Sequence, residues 1–444
     1  MKTSNPTRIP LGLLSLGLLL LPLVGLLVLP SVLPGLGAGD LLAKRMLLYI
    51  LAFGLSAIWL LSAIRMTASM PTLPLALPAT AYVAFNLFSL SWAINPFSGI
   101  VEAAQLVALL IIFFGIVFFL GTNHILTLAQ FSAVGGLLVS IIGIGQYLGR
   151  GFEWIPSVGL PSGGFLFRNL AAAYLVGNIP FGLLAISLDP SRLRKILWSI
   201  ATTSMSLFLV YTRTRGAWIG LGGAILLACI YLGFNRPLRE NLAGRFGLQV
   251  RCRALFLGVS VTLIVLVGGA LLPTRTSKEV YQRFDEKKSS PAVAATSLLA
   301  PGSDRGRLAM WKHTIEIIAD HPLTGVGLDN WEFVYPRYDR GDKITGASEP
   351  VRPHNDFLWI ASELGLIGLA LYLWLLFIAF RTVHHLLQRG SEEAQATVLA
   401  CGVALVALLG HSCFSFLRER PAPSALFWLS LGIIGLLSAQ RTSP

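Results

Sequence analysis

The chain has 444 residues, of which 55% are hydrophobic and only 12% charged, and its mean hydropathy is +0.72. Soluble domains carry about 25% charged residues, so the composition excludes an ordinary soluble protein and indicates an integral membrane protein. The formal net charge is +13 and the pI about 9.9, a basic excess that either nucleic-acid binding or membrane topology could explain.

The apolar stretches predict an all-α polytopic membrane protein, because most of them reach the roughly 20 residues that a helix needs to cross a bilayer. We predict about 12 transmembrane helices from these stretches. They lie near residues 11–33, 46–64, 77–94, 101–120, 127–148, 170–188, 195–212, 215–233, 254–272, 356–380, 396–416 and 422–439.

The distribution of basic residues predicts the orientation. With the N-terminus in the cytoplasm, the cytoplasmic segments hold 14 Lys and Arg against 4 Asp and Glu, as the positive-inside rule favours. Both termini are then cytoplasmic, and topology explains the basic excess better than nucleic-acid binding does. The predicted organisation is helices one to nine in residues 1–272, an outer loop over 273–357, and the last three helices in 358–444.

The long outer loop contains a predicted amphipathic helix. Leu308, Trp311, Ile315 and Ile318 follow one another at intervals of three or four residues, which places them on one helix face. Pro322 ends the pattern. We expect this helix to lie flat on the outer membrane surface, packed over the helix bundle.

A histidine ends the outer loop, where the tenth predicted helix begins. His354 precedes Asn355 and Asp356, either of which can cap the helix, and a solvated interface position would then explain the histidine. The alternative is catalytic. A helix N-terminus disfavours protonation, which would keep the imidazole a base near neutral pH.

Two pairs of arginines lie on the same predicted side of the membrane. Arg213 and Arg215 separate two apolar helices that have almost no loop between them, and Arg305 and Arg307 open the amphipathic helix. Snorkelling or solvated side chains would explain each of them singly. Together with His354 they predict a site for a phosphorylated substrate, because guanidinium groups can bind a pyrophosphate leaving group without a metal.

Two further residues are weaker candidates. Arg168 opens the sixth predicted helix on the outer side, and His411 lies near the outer end of the eleventh, where a hydrogen-bonded structural role explains it as well. The sequence has no Walker A, GxGxxG or HExxH motif and no CxxC pair. It therefore predicts no nucleotide-binding module and no metal site.

In chain order these features resemble the O-antigen ligase and polymerase superfamily of bacterial envelopes. The resemblance rests on four pieces, FRNLAAAYL, TRTRGAWIGL, GRLAMWKHTIEIIADHPLTGVGLDNW and HNDFLWIASELGLIGL, which are more specific together than singly. The first five predicted helices match in hydropathy only. The superfamily usually has Ser before its Arg-Gly pair, whereas this chain has Thr214, which keeps the hydroxyl.

The resemblance implies a metal-independent, GT-C-like glycosyltransferase of the bacterial inner membrane, with an active site that faces the periplasm. Members take a glycan from undecaprenyl pyrophosphate and pass it to a hydroxyl group. Carried onto this chain, His354 would be the general base, and Arg215 and Arg307 would bind the pyrophosphate. The remaining candidates are predicted from position alone: Arg305, Asn355, Arg168, Arg213 and His411.

The resemblance leaves the acceptor open. Ligases transfer finished O-antigen to lipid A–core, polymerases join repeat units, and some relatives transfer glycans to protein. One large outer loop followed by a late histidine resembles a ligase, so we expect lipid A–core as acceptor and no nucleic-acid partner. A transporter also fits twelve helices with both termini inside, but its ionisable groups would more often lie near the bilayer midplane.

Overall fold

The computed structural model describes residues 16–26, 39–63, 73–152, 154–155, 159–246, 252–272, 274, 291, 306–341, 343–344 and 349–439. Regular structure within these ranges is helical, and one isolated backbone bridge joins Gly159 to Phe167. The helices are α1 (Gly39–Ala63), α2 (Ala76–Phe88), α3 (Pro96–Phe119), α4 (Ile125–Leu148), α5 (Arg168–Leu188), α6 (Arg192–Tyr211), α7 (Arg215–Phe234), α8 (Arg236–Phe246), α9 (Cys252–Leu271), α10 (Arg307–Asp320), α11 (Trp331–Val334), α12 (Asp356–Arg389), α13 (Glu392–Ser412) and α14 (Pro421–Ala439).

The prediction of an all-helical polytopic membrane protein is confirmed. Among the described residues, eight helices are long and apolar enough to cross a membrane, namely α3 to α7 and α12 to α14. Two shorter apolar helices, Ala76–Ser91 and Ser260–Leu271, fall on the third and ninth predicted spans. The first predicted span, 11–33, lies partly outside the described residues, and the number of twelve stays a prediction.

Helix α12 runs to Arg389, nine residues beyond its predicted end at residue 380. The apolar residues Val383, Leu386 and Leu387 explain the extension, because they are buried and recur at helical spacing. The last turns of the helix therefore keep one face against the bundle although the segment is polar overall.

Two helices form the centre of the bundle. In the most apolar 18-residue stretch of both α5 and α14, 89% of the residues are buried inside the protein, against 17% for α7. A helix that is apolar on every side and enclosed by protein belongs to the core, whereas a helix with an exposed apolar surface faces lipid. Helix α13 packs against α5, α7 and α14 and so links the centre to the periphery.

Residues 306–341, which belong to the predicted outer loop and are called the outer segment below, dock onto a break in α12. Gly365 has φ 65° and ψ −170°, so the helix is interrupted there. The amide of Leu366 donates to the carbonyl oxygen of Pro322 (2.8 Å), and the amide of Gly327 donates to that of Glu363 (2.8 Å). A side chain at Gly365 would place its Cβ 2.1 Å from the carbonyl oxygen of Leu323. Glycine is required there both by its φ and by this close approach.

The predicted amphipathic helix is present as α10, but its buried face differs from the predicted one. Met310, His313, Thr314 and Ile317 are buried, whereas Leu308 and Ile315 are 62% and 55% exposed. The reason is a hydrogen bond across 3.1 Å from the indole Nε1 of Trp331 to the hydroxyl of Thr314, which turns the polar Thr314 inward. Satisfying this buried donor decides the rotation of the helix about its own axis.

Candidate active site

His354 lies immediately before α12, with its backbone in the left-handed region at φ 55°. The side chain of Asn355 caps the helix by accepting hydrogen bonds from the amides of Phe357 (3.0 Å) and Leu358 (3.1 Å), so capping is the role of Asn355 and not of the histidine. The imidazole of His354 is partly buried against the ring of Phe416, with 4.9 Å between the ring centres. Its Nδ1 is buried without a hydrogen-bond partner among the described residues.

Burial lowers the pKa of His354, and the positive charges of Arg307 and Arg420 lower it further, to about 4. The imidazole is therefore neutral at pH 7 and able to accept a proton. A solvated interface histidine would keep a pKa near 6.5. The environment of His354 is thus that of a base held next to positive charge.

Arg307 is the first residue of α10, and this helix is tied directly to the segment that carries the histidine. One turn further on, the indole N–H of Trp311 donates to the carbonyl oxygen of Pro353 across 2.8 Å. The structure therefore brings Arg307 and His354 together, as the action of the Arg307 charge on the imidazole also indicates. Arg305 lies outside the described residues.

Arg215 opens α7, close to α13. A side chain at Gly216 would bring its Cβ 2.9 Å from Cβ of Phe414 and 3.2 Å from Nδ1 of His411, so the first turn of α7 lies against the end of α13. Arg213 has a different environment. It is buried, its backbone has φ 53°, and its guanidinium lies 5.9 Å from the ring centre of Tyr147.

His411 connects two of the helices that carry arginine candidates. The residue is buried, and its Nε2 lies 3.3 Å from the carbonyl oxygen of Asn169, directly after Arg168 at the start of α5. The charge of Arg307 also acts on this histidine. His411 therefore belongs to the packing beneath the site, where a hydrogen-bonded structural role agrees with its position.

Helices α5, α7, α10, α12 and α14 begin at this end of the bundle. The contacts described above join the starts of α5 and α7 to the end of α13, and α10 to the start of α12. The carboxylate of Asp356, the first residue of α12, accepts hydrogen bonds from the amides of Leu417 (3.0 Å) and Arg418 (3.2 Å), just before α14. Helix N-termini carry positive partial charge, so this end of the protein favours an anionic ligand.

Arg352 holds the segment before His354 in place. Its guanidinium forms ion pairs with the carboxylates of Asp329 (3.1 Å), Glu332 (2.8 Å) and Glu419 (3.0 Å). Burial, followed by the negative charge of Glu363, raises the pKa of Asp329 to about 7. Because these carboxylates belong to two distant parts of the chain, the cluster fixes the outer segment to the connection between α13 and α14.

Arg418 extends the ionic cluster towards α12. Its guanidinium pairs with the buried carboxylate of Glu363 across 2.6 Å. The ring of Trp359 contacts two guanidinium groups, that of Arg418 at 4.4 Å and that of Arg352 at 5.0 Å. These cation–π contacts and ion pairs hold both arginines in fixed orientations.

Arg420 is a candidate that the sequence did not single out. Its guanidinium lies 5.0 Å from the ring centre of Phe416, the same ring that His354 contacts. Its nearest carboxylate, that of Glu419, is 3.8 Å away and is hydrogen-bonded to Arg352. The sequence signal is the stretch FLRERP, which puts three charged residues into the short connection between two membrane helices.

In the part of the chain that the structure describes, no three His, Cys, Asp or Glu side chains are grouped as metal ligands would be. The groups that the site gathers are instead cations and a neutral imidazole, which suit an anionic ligand and a proton transfer.

Fold and site together define a polytopic helical membrane protein with a basic, histidine-containing site at one end of its bundle. Residues 200–373 match the family model described as O-antigen ligase (Wzy_C). This match confirms, over these residues, the resemblance predicted from the sequence. Arg215, Arg307 and His354 lie within the matched residues. Three other residues of the site lie outside them: Arg168, His411 and Arg420.

One curated relative agrees with this family. It is a protein of Rickettsia prowazekii (strain Madrid E) described as a "putative polysaccharide ligase", and it is 28% identical over 122 residues. The match covers 26% of this chain and 27% of the relative, so it spans about a quarter of each protein. Both comparisons support the class of O-antigen ligases and polymerases.

Proposed function

We propose that the protein is an inner-membrane glycosyltransferase of the O-antigen ligase type. It moves O-antigen glycan from undecaprenyl pyrophosphate to a sugar hydroxyl of lipid A–core, without a metal, on the periplasmic side. One observation carries the proposal: His354 is a neutral imidazole under the influence of Arg307 and Arg420, at an end of the bundle where α5, α7, α10, α12 and α14 begin. Such a place favours an anion next to a base.

The proposed reaction is a direct displacement at the anomeric carbon of the donor glycan. His354 takes the proton of the acceptor hydroxyl, and the hydroxyl oxygen forms a bond to that carbon. The bond from the carbon to the phosphate oxygen breaks, and its electron pair leaves with undecaprenyl pyrophosphate. Attack from the opposite side inverts the anomeric configuration, and the imidazolium afterwards gives its proton to solvent.

Arg215 and Arg307 bind the leaving pyrophosphate in this mechanism. Each is the first residue of its helix, so helix N–H groups and the helix dipole add to the guanidinium charge. A guanidinium binds two phosphate oxygens at once, which neutralises the charge that develops as the bond breaks. Arg305 and Arg168 would extend the same basic surface, and Asn355 holds the start of α12.

The orientation of the protein belongs to the same proposal. The basic residues of the short loops favour cytoplasmic termini, and the loop over 273–357, which follows nine predicted helices, would then lie with the site on the periplasmic side. Both the lipid-linked donor and the lipid A–core acceptor would reach it there from the outer leaflet. The protein would therefore be a multi-pass protein of the bacterial inner membrane.

The proposal is tested by transfer in vitro. Purified wild-type protein is incubated with undecaprenyl-pyrophosphate-linked glycan and lipid A–core, without added metal, beside His354→Ala and Arg307→Lys. We expect His354→Ala to lower the rate of transfer by about 10²- to 10⁴-fold, as for a general base. Arg307→Lys should also be defective, because lysine cannot bind two phosphate oxygens at once as a guanidinium does. His385→Ala, an exposed histidine far along α12, is the matched control.

The products separate the alternatives. Joined lipid A–core product from wild type and none from His354→Ala supports the ligase. Wild type that lengthens the lipid-linked glycan without using lipid A–core is a polymerase, and near-normal transfer by His354→Ala refutes the catalytic assignment. If wild type makes neither product, labelled-solute flux in proteoliposomes tests the transporter alternative.

A further inference from the structure

We propose that Arg420 binds a phosphate group of the lipid-linked donor, together with Arg307, and so completes the anion site next to His354. This inference rests on the proposed function and extends it to a residue outside the family match. The ligand chemistry is a pyrophosphate diester or monoester, recognised by a guanidinium fork.

Three arginines that lie close together in the structure differ in their carboxylate partners. Arg352 is paired with three carboxylates at 2.8 to 3.1 Å, and Arg418 with Glu363 at 2.6 Å. Arg420 has no such pairing among the described residues. Its nearest carboxylate is that of Glu419 at 3.8 Å, and its Nε is buried without a hydrogen-bond partner.

Several arginines share the carboxylate of Glu419. Arg352 donates a hydrogen bond to it across 3.0 Å. Although burial opposes ionisation, Arg420 and Arg352 together hold the pKa of Glu419 below its usual range. One carboxylate thus faces two guanidinium groups, and the one at 3.8 Å lacks a close anionic partner. Burying a cation with incomplete pairing is costly, and a phosphate oxygen would remove that cost.

The position of Arg420 relative to the base His354 supports the same inference. Arg420 and His354 both contact the ring of Phe416, at 5.0 Å and 4.9 Å, and the charge of Arg420 acts on the imidazole. An anion bound at Arg420 would therefore lie in the same site as the proton acceptor, across the anomeric carbon from the hydroxyl that His354 deprotonates.

A second cation reinforces the anion preference. Lys44 of α1 is 2% exposed, lies 4.0 Å above the ring of Phe165, and lines the same small cavity as Arg420 and Pro421. Arg420 directly precedes α14, whose first turn begins at Pro421. Two cations and a helix start thus lie around this cavity, so positive charge collects beside Arg420.

Binding of inorganic pyrophosphate to the purified full-length protein tests the inference independently of transfer. Isothermal titration in detergent compares wild type with Arg420→Gln, Arg420→Lys and Arg307→Gln. We expect Arg420→Gln to weaken binding by about 10- to 100-fold, the loss of a hydrogen bond to a charged group. Arg420→Lys should bind with intermediate affinity, because it keeps the charge and loses the fork. Arg381→Gln, an exposed arginine near the other end of α12, should bind as wild type does.

Other outcomes overturn the inference in distinguishable ways. If Arg420→Gln keeps wild-type affinity while Arg307→Gln loses it, Arg420 is not part of the site. If wild type transfers glycan but binds no pyrophosphate, the anion site is refuted and the proposed function stands. If pyrophosphate binding depends on Arg420 but no glycan acceptor is ever used, the anion site stands and the proposed function fails.

The last arm distinguishes the donor from an ordinary lipid headgroup. The titration is repeated in nanodiscs of zwitterionic lipid and in nanodiscs that contain phosphatidylglycerol. Equal pyrophosphate affinity in both supports the donor as the ligand of Arg420. If phosphatidylglycerol removes the part of the affinity that depends on Arg420, an anionic lipid occupies this position and the assignment to the donor is wrong. Unchanged melting temperatures of the variants show that each protein is folded.

Discussion

Trp311 donates its indole N–H to the carbonyl oxygen of Pro353 across 2.8 Å. This hydrogen bond joins α10, which begins at Arg307, to the residue directly before His354. The segment that carries the proposed anion-binding arginine is therefore tied by this third side chain to the segment that carries the proposed base.

Replacement of Trp311 by Phe should lower the transfer rate by about tenfold, because one hydrogen bond of 0.5–1.5 kcal/mol is lost and His354 becomes less well positioned. The ring contact with Phe414, at 6.4 Å between centres, can remain, so the melting temperature should change little. The steady-state rate of transfer and a thermal melt in detergent measure both effects. Trp154→Phe, at an 80% exposed tryptophan, is the control. Full activity of Trp311→Phe would show that this bond does not position the base.

The pH dependence of kcat/KM should reflect the pKa of about 4 of His354 in the unliganded protein. Only the neutral imidazole accepts a proton, so activity is lost as the pH falls through that pKa. We expect kcat/KM to stay constant from neutral pH down to about pH 5 and to decline below it, whereas an ordinary histidine would cause a decline near 6.5. Initial rates at low donor concentration measure this profile, and a half-maximal value near pH 6.5 contradicts the prediction.

The profile of kcat should lie at higher pH than that of kcat/KM. Bound pyrophosphate compensates the charges of Arg307 and Arg420, which removes two of the causes that lower the pKa of His354. The pKa of the base in the donor complex therefore rises. Rates at saturating donor report that complex, and coincident profiles would mean that the anion does not bind next to the imidazole.

The helices can be predicted from the sequence because they follow from local rules, and the same rules single out the candidate site residues. Long apolar stretches in a bilayer must satisfy their backbone groups as helices. His354, Arg215 and Arg307 are conspicuous because ionisable groups beside such stretches are costly. The cap at Asn355 also follows from residue type and position alone.

The ionic cluster could not be predicted, because its partners are distant in the chain. Arg352 pairs with Asp329, Glu332 and Glu419, and no spacing rule connects residue 352 with residue 419. The lack of a close anionic partner for Arg420 is visible only in three dimensions. The rotation of α10 is also decided by a tertiary hydrogen bond rather than by apolar periodicity.

Replacement of Arg352 by Met should destabilise the protein strongly. The change leaves carboxylates from Asp329, Glu332 and Glu419 without their shared cation, and loss of one partner from a buried ion pair costs about 3–5 kcal/mol. Because protonation neutralises a carboxylate, the destabilisation should be smaller at pH 5 than at pH 8. Thermal melts of wild type and variant at both values measure it.

Arg340→Met is the matched control for Arg352→Met. Arg340 is 68% exposed and pairs with Glu316 at 3.2 Å, and an exposed pair contributes only about 0–1 kcal/mol. We expect its melting temperature to stay close to that of wild type at both pH values. Equal melting temperatures for Arg352→Met and Arg340→Met would mean that the cluster does not hold the outer segment.

Replacement of Gly365 by Ala should release the outer segment from α12. The new Cβ would lie 2.1 Å from the carbonyl oxygen of Leu323, and φ at this position is 65°, so alanine is disfavoured by both contact and backbone conformation. Limited proteolysis should then cleave within residues 306–341, and transfer should be lost because Arg307 and Trp311 lie on that segment.

Gly222→Ala provides the comparison, since its Cβ would meet no atom within 4 Å and alanine favours a helix by about 1 kcal/mol. Gly222→Ala should melt at or above the wild-type temperature. A Gly365→Ala protein that resists protease and transfers glycan normally would show that α12 does not need this break to hold the outer segment, and that the backbone bonds at residues 322–327 and 362–366 can form around a side chain.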